Sequence, residues 1–211
     1  MTIIRKERMR KLYKTTIPLI ATLFTILILS SLPVQAGNII LSNNTGSDSA
    51  TFFIEGEPSM ILNGFDLSPL GVQLPIALDA VSISVVEAVP GANVEIVIYQ
   101  DPNGGSPVDA QAVYRETVTI NQSGSNRIVL KEAAIISEPV VWVGFYLPVG
   151  FQFRADQSGT SVLSYWAWTT GGTFDPSNLG SAEVLGPGDG SAPVGIDMGG
   201  IARISAELRP T

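Results

Sequence analysis

The chain contains neither histidine nor cysteine in its 211 residues. Without those side chains it can form no Ser-His-Asp or Cys-His catalytic system, no zinc site with nitrogen or sulfur ligands, and no disulfide. Lysine is scarce as well, because Lys131 is the only one after Lys14. What remains for catalysis is carboxylate chemistry, and no motif marks two acidic residues as the acid and base of a glycosidase. The sequence therefore favours a protein that is not an enzyme.

The first 36 residues have the features of an export signal. Residues 1–14 hold six basic side chains and one acidic one, and an uncharged, largely apolar stretch follows up to Ala36. Together with the small side chains at Val34 and Ala36, this predicts cleavage before Gly37. An uncleaved N-terminal anchor is the alternative. However, a membrane-spanning helix needs about 20 apolar residues, and the apolar stretch here is shorter. We expect a bacterial protein that is secreted, periplasmic or at the cell surface, with no membrane insertion after cleavage.

Removal of residues 1–36 makes the chain strongly acidic. The remainder keeps 18 of the 19 acidic side chains but only six of the 12 basic ones, a balance of about twelve negative charges. Nucleic-acid binding depends on Lys and Arg side chains that neutralise phosphates, so no nucleic-acid partner is expected. The remaining length is that of one domain.

Beyond Gly37, short apolar and β-branched runs are separated by Gly, Pro, Asn and Asp, which is typical of an all-β protein. Eight runs predict strands, at 50–55, 80–87, 93–100, 113–120, 127–136, 140–147, 162–169 and 202–209. Turn residues predict hairpins at 89–93, 101–105 and 121–126. We therefore predict one antiparallel β-sandwich domain over 50–211. A flexible N-terminus at 37–49 would precede it, and a long Gly-rich connection would occupy 171–200.

Two of these runs indicate how their strands are covered. In 202–209 apolar and polar residues alternate, so one face is predicted to be buried and the other wet. In 140–147, VVWVGFYL, both sets of alternate residues are apolar. That run is expected to be a central strand with both faces covered or one face used for binding, and Trp142 within it is expected to lie in the core.

Four segments carry a resemblance to a known class of domain: LDAVSISVV (78–86), NVEIVIYQDPNGGSP (93–107), NRIVLKEAAIISEPVVWVGFYLP (126–148) and ARISAEL (202–208). The series resembles the jelly-roll or galactose-binding-like β-sandwich domains of bacterial exported and cell-surface proteins, over about residues 50–209. The resemblance implies a jelly-roll fold, and some such domains bind carbohydrate. It transfers no functional residue to this chain.

The stretch SVLSYWAWTT, Ser161 to Thr170, places two of the three tryptophans one residue apart. In an extended strand Trp166 and Trp168 point to one face and Tyr165 to the other. Two interpretations stay open. The indoles lie in the core, where each buries about 200 Å², or they form a surface on which sugar rings stack. In the second interpretation Tyr165 assists the stacking, while Asp175 and Asn178 of the GTFDPSN loop supply hydrogen bonds.

Calcium is the metal that oxygen ligands alone would permit. The candidate ligands are Asp66, Asp101, Asp189 and Asp197, although aspartates in such Gly- and Pro-rich stretches also cap turns. No cofactor is predicted.

The leading hypothesis for function is an exported, non-catalytic module that binds polysaccharide. The alternative is a structural or adhesive protein whose face or N-terminal segment joins another surface protein, by adding a strand to an open sheet edge.

Overall fold

The structure is a computed structural model, in which residues 37–44, 49–157, 163–187 and 200–210 are described. The predicted export signal and the calcium candidates Asp189 and Asp197 lie outside the described residues. The described part of the chain is all β, as predicted. Two antiparallel sheets pack against each other as a β-sandwich.

The described residues form thirteen strands, so the prediction of about eight was too low. In chain order they are β1 (Ile39–Ser42), β2 (Ser49–Phe52), β3 (Ser59–Asp66), β4 (Ile76–Glu87), β5 (Asn93–Asp101), β6 (Gln111–Thr119), β7 (Gly124–Ile136), β8 (Val140–Leu147), β9 (Gln152–Asp156), β10 (Ser164–Trp168), β11 (Val184–Pro187), β12 (Ile201–Ala202) and β13 (Ile204–Arg209). Short 3-10 turns occur at Ser68–Leu70, Pro107–Asp109 and Leu179–Ser181. The jelly-roll type of the sandwich stays a prediction.

One sheet has seven strands and the other has six. In the seven-stranded sheet β4 lies between β7 and β13, and β1 pairs with the far side of β13. β9 pairs with the end of β4, with β12 and with β2. The six-stranded sheet has the order β11-β10-β3-β8-β5-β6. The predicted central strand at 140–147 is confirmed, since β8 lies between β3 and β5 and is almost entirely buried.

The prediction of a flexible N-terminus at 37–49 is wrong for the residues that form β1. These pair with β13, and Leu41 is buried in the core between the sheets. β3 was missed because its segment, SMILNGFD, contains Asn63 and Gly64, which break the apolar run. Both of these residues are nevertheless buried, since β3 lies between β10 and β8.

Only one of the three predicted hairpins joins paired strands, namely the one that begins at Asp101 and connects β5 to β6. The turns at 89–93 and 121–126 instead carry the chain from one sheet to the other, because β4 and β7 belong to the seven-stranded sheet and β5 and β6 to the six-stranded one. Turn residues specify that the chain reverses. Which sheet receives the next strand is decided by the packing.

The core between the sheets is built from alternate residues of facing strands. In β13 the apolar residues Ile204, Ala206 and Leu208 are buried while Arg209 is exposed, which confirms the alternation read from the sequence. The largest residues that are fully or nearly fully buried in this core include Phe145, Phe153, Ile61, Leu78, Ile83, Ile96 and Trp166.

Polar side chains join the two sheets at each open side of the sandwich. On one side the buried Asn63 Nδ2 donates to the Ala202 carbonyl at 2.7 Å, and the Ala202 N–H donates to Ser164 Oγ at 3.3 Å. On the other side Glu116 of β6 points inward, and its Oε2 accepts hydrogen bonds from Tyr114 Oη at 2.5 Å and the Lys131 N–H at 3.1 Å. The neutral side chains of Asn63 and Ser164 therefore link the sheets on one side, and the carboxylate of Glu116 links them on the other.

Candidate functional site: the outer face of the six-stranded sheet

The outer face of the six-stranded sheet carries a second core, which is separate from the one between the sheets. Its members come from the four central strands, from the residue just before β6 and from the segment that lies over the strands: Met60, Leu62, Val97, Tyr99, Ala110, Trp142, Ala167, Phe174 and Leu179. This face is apolar because β3, β8 and β10 have apolar side chains at both sets of alternate positions. A sheet face of this kind has to be covered, since exposed apolar area is costly.

Trp142 lies at the centre of the second core and is fully buried, as the sequence predicted. Its indole lies directly over Gly64 of β3, where a Cβ atom would come within 2.9 Å of the ring. The indole Nε1 donates to Asp101 Oδ2 at 3.3 Å. Glycine at position 64 is therefore what allows the ring to lie flat on the neighbouring strand.

Residues 169–182 cover this face without forming a regular element, apart from one 3-10 turn. The start of the segment is held by two glutamates, which accept the Gly171 N–H (Glu57, 2.7 Å) and the Thr170 N–H (Glu183, 2.8 Å). Further along, the buried Tyr99 hydroxyl donates to the Pro176 carbonyl. Burial, and to a smaller extent the charge of Asp175, raises the pKa of Tyr99 well above its ordinary value. The Tyr99 hydroxyl therefore stays protonated and keeps donating.

The three aromatic residues that the sequence predicted as a stacking surface do not share one face. Trp166 is 3% exposed and packs edge to face against Phe52 and Phe153, with ring centroids 5.3 and 5.1 Å apart. It is a core residue, and no sugar ring could reach its indole. Trp168 is half-buried against the same core. Tyr165 points the other way, half-buried and edge to face with Trp142 at 5.4 Å.

Asp175 and Asn178 are both exposed, on the segment that covers the second core. Asp175 Oδ1 accepts the Ser177 N–H at 2.9 Å and lies 3.7 Å from Arg115 Nη1. The Asn178 N–H donates to the Asp175 carbonyl at 2.9 Å, so the two residues belong to one turn. They are not beside Trp166 or Trp168, because those side chains point to the inner face.

Arg115 connects this turn to the sheet. It forms a two-point ion pair with Glu95 through Nε and Nη2, and its Nη1 donates to Ser177 Oγ at 3.0 Å. Arg115 lies on the edge strand β6, and its side chain is 51% exposed. We call the group Glu95, Arg115, Asp175 and Ser177 the polar corner.

Two aromatic rings adjoin the polar corner. Tyr146 is the cross-strand partner of Glu95, and its ring packs edge to face against Phe174 with centroids 5.3 Å apart. Tyr146 is half-buried, whereas Phe174 is buried. Partial burial raises the pKa of Tyr146, and the backbone of Phe174 offsets part of this effect. The polar corner, with its charged groups and the Ser177 hydroxyl, therefore lies next to a half-buried aromatic ring.

Of the aspartates considered for calcium, the two described ones, Asp66 and Asp101, hold turns. Asp66 Oδ1 accepts the Ser68 N–H at 2.9 Å, and Asp101 Oδ1 accepts the N–H groups of Asn103 and Gly104 at 3.1 and 2.9 Å. Both residues therefore cap turns, which the sequence analysis gave as the alternative to calcium binding. Within the described residues no group of three or more acidic side chains is arranged to hold a metal ion.

Sequence reasoning identified Asp175 but missed Glu95, Arg115 and Tyr146. These three lie in β5, β6 and β8, whose residues are far from Asp175 in sequence. The available signal was weak: Arg115 is one of only six basic residues after residue 36. A basic residue that is so rare in an acidic chain is expected to form ion pairs with acidic side chains.

No protein-family model matches the chain, and no curated protein is significantly similar to it. Among the described residues, no helix is long and apolar enough to cross a membrane.

Proposed function

We propose that this chain is an exported, non-catalytic binding module, and that it holds a carbohydrate at the polar corner on the outer face of the six-stranded sheet. The proposed place of action is outside the cytoplasm, either in the periplasm, at the cell surface or in the medium. The proposal keeps Asp175 as a ligand-binding residue, replaces Trp166 and Trp168 by Tyr146 as the aromatic contact, and adds Arg115, Glu95 and Ser177.

The observation that supports this proposal is the position of Tyr146 beside an exposed arginine–carboxylate group. Sugars present apolar C–H faces and several hydroxyls, so a site for them combines an aromatic ring with fixed donors and acceptors. Arg115 supplies donors, while Glu95 and Asp175 supply acceptors. The ion pairs hold these groups in place before a ligand arrives, which lowers the entropy lost on binding.

Charge favours a neutral polysaccharide over an acidic one. The polar corner has two carboxylates and one guanidinium, and the chain after residue 36 carries about twelve negative charges. A uronic-acid polymer would be repelled by that field. We therefore expect the ligand to be an uncharged glycan.

The edge strands bear on the alternative hypothesis of assembly by strand addition. On β6, Glu116 points inward, and on β7 residues 130–133 have no partner in β4. β11 is four residues long and ends at Pro187. Inward charges, irregular pairing, short strands and proline are features that prevent edge-to-edge association. Three of the edges are thus protected, which favours the binding module over a strand-adding structural protein.

The test is a screen of soluble polysaccharides, both neutral and acidic, followed by titration calorimetry on the wild type and two variants. Arg115→Gln should weaken binding of the selected glycan about tenfold or more, since a hydrogen bond to a charged group contributes about 1.5–3 kcal/mol. Arg127→Gln is the matched control. Arg127 is also 51% exposed and pairs with one glutamate, Glu207, but it lies on the other sheet.

Equal loss of affinity in both arginine variants would contradict the proposed site. The proposed function would be contradicted if the wild type bound none of the glycans in the screen or in the calorimetry. Thermal unfolding of each variant shows whether a loss of binding reflects a loss of fold.

A further inference from the structure

Two polar atoms in the core between the sheets have no hydrogen-bond partner among the described residues. They are the side-chain oxygen of Asn63, Oδ1, and the indole nitrogen of Trp166, Nε1. Asn63 is fully buried and Trp166 is 3% exposed. The oxygen accepts hydrogen bonds and the indole N–H donates one. An unpaired donor or acceptor in a core is costly, so each of these atoms is expected to bind a partner in solution.

The two side chains start from neighbouring strands and point to the same side. Asn63 of β3 is opposite Ser164 of β10, and Trp166 lies two residues further along β10. Residues two apart in a strand share one face, so both side chains enter the core between the sheets. Diagonal neighbours of this kind are about 7–8 Å apart on a sheet. The polar ends of the two side chains therefore lie within reach of one small molecule.

Contacts with the opposite sheet also place the two side chains next to each other. Asn63 Nδ2 donates to the Ala202 carbonyl at 2.7 Å, and Ala202 is the cross-strand partner of Ala155 in β9. The Trp166 ring packs on Phe153, with ring centroids 5.1 Å apart. Phe153 and Ala155 are two residues apart in β9, and both are buried in the core. Asn63 and Trp166 are thus neighbours both where they start and where they reach β9.

The surroundings of these atoms are suited to water. Ser164 Oγ is fully buried, accepts the Ala202 N–H at 3.3 Å and has a proton of its own to donate. A buried water typically makes about three hydrogen bonds to polar groups that would otherwise be unpaired. Asn63, Trp166 and Ser164 offer an acceptor, a donor and a hydroxyl. None of these side chains is charged, so an ion at the same place would be left without a counter-charge.

We infer that one water molecule is bound in the core, where it accepts a hydrogen bond from Trp166 Nε1 and donates one to Asn63 Oδ1. Because Asn63 also donates to Ala202 of β12, the water extends the polar link between the sheets to the indole of β10. It also fixes the orientation of that indole in the core. The inference goes beyond the proposed carbohydrate site and does not depend on it, since neither residue belongs to the polar corner.

NMR in solution tests the inference, with Trp142 as an internal control. Trp142 is buried as well, but its Nε1 already donates to Asp101 Oδ2 at 3.3 Å. Cross-relaxation between water and the assigned indole N–H protons is measured on the isotope-labelled wild type. We expect a cross-peak to water at the Trp166 indole proton and none at that of Trp142. The inference is overturned if Trp166 gives no cross-peak, or if the two indoles give equally strong ones.

Ser164→Ala is the matched variant, because a serine hydroxyl that exchanges its proton with solvent can give the same cross-peak. In this variant the hydroxyl is removed while Asn63 and Trp166 remain, so the cross-peak should persist. Its loss in the folded variant would contradict the inference.

If Ser164→Ala does not fold, a crystal structure of the wild type decides. A water oxygen within about 3.2 Å of both Asn63 Oδ1 and Trp166 Nε1 supports the inference. A direct hydrogen bond between these two atoms, or no water between them, overturns it. None of these results affects the glycan titration, which concerns the outer face of the six-stranded sheet.

Discussion

The outer faces of the two sheets differ in what covers them. On the seven-stranded sheet the outer face is open to water and carries ion pairs, as of Arg127 with Glu207 and of Arg209 with Asp79. It also carries exposed apolar side chains, namely Ile40, Val129 and Ile135. On the six-stranded sheet the corresponding face is apolar and lies beneath residues 169–182. The proposed carbohydrate site lies at the rim of the covered face, where the covering segment meets the charged groups of the polar corner.

The largest expected effect concerns Trp142. Replacing it by Ala should lower the free energy of unfolding by about 3–5 kcal/mol, the usual cost of emptying a buried aromatic site. The Asp101 carboxylate would also lose a donor. Urea unfolding measures the change, and Trp166→Ala should give a loss of similar size because that indole lies in the core between the sheets. A loss below about 1 kcal/mol for Trp142→Ala would mean that the outer face is not a core.

A substitution at Gly64 tests the core on the outer face of the six-stranded sheet with a smaller structural change. Gly64→Ala places a methyl group against the ring of Trp142 and should destabilise by about 1–3 kcal/mol, as overpacking generally does. Gly172→Ala is the control, since the nearest atom to its added Cβ would be 4.0 Å away. If chemical denaturation gives the two variants equal stability, the close contact between Trp142 and β3 is disproved.

The ionisable groups between β6 and β7 predict how stability depends on pH. Although burial alone would raise the pKa of Glu116, hydrogen bonds from Tyr114 and Lys131 hold it below its ordinary value. The stabilisation by Glu116 is therefore complete above about pH 4.5 and is lost as the pH falls through the lowered pKa. Measured from neutral to acid pH, the stability of Glu116→Gln should fall less steeply than that of the wild type. Parallel curves would show that Glu116 does not contribute.

Tyr114 gives the corresponding effect in alkali. Burial, followed by the hydrogen bond and charge of Glu116, raises its pKa to about 12. Stability due to neutral Tyr114 is complete below about pH 10 and is lost as the pH rises towards 12. Tyr114→Phe should cost about 1 kcal/mol at neutral pH and should remove one late-titrating group from the ultraviolet absorbance titration. An unchanged titration in that variant would contradict the assignment.

The smallest effect is expected on the wet face. Arg127 is 51% exposed and bound to Glu207, and exposed ion pairs contribute little to stability. Arg127→Gln should leave the unfolding midpoint nearly unchanged, and added salt should reduce any difference. A large loss of stability would show that the outer face of the seven-stranded sheet is also structurally important.

Much of the fold could be predicted because it depends on local patterns. The burial of β13 was predicted from its alternating apolar residues, and that of β8 from its apolar residues on both faces. The burial of Trp142 and the turn at Asp101 were also predicted correctly. β3 and the short strands could not be recognised, because their residues become strands only through pairing with distant segments. The same holds for β1, whose pairing partner lies at the other end of the chain.

The site was less predictable than the fold for a related reason. The sequence placed Trp166 and Trp168 on one face correctly, but the choice between an inner and an outer face is made by β3 and β11, which flank β10. Asp175 was recognised in its loop. Its neighbours Arg115 and Glu95 reach it only because β5 and β6 pair at the edge of the sheet. Local sequence carries no record of such contacts.

The central claim is that the outer face of the six-stranded sheet is the face that binds, and amide chemical-shift mapping tests it most directly. A neutral oligosaccharide selected by the polysaccharide screen is titrated into the isotope-labelled protein. The account predicts shifts that cluster at Glu95, Arg115, Tyr146 and residues 174–178. Shifts confined to the outer face of the seven-stranded sheet, around Arg127 and Glu207, would contradict it.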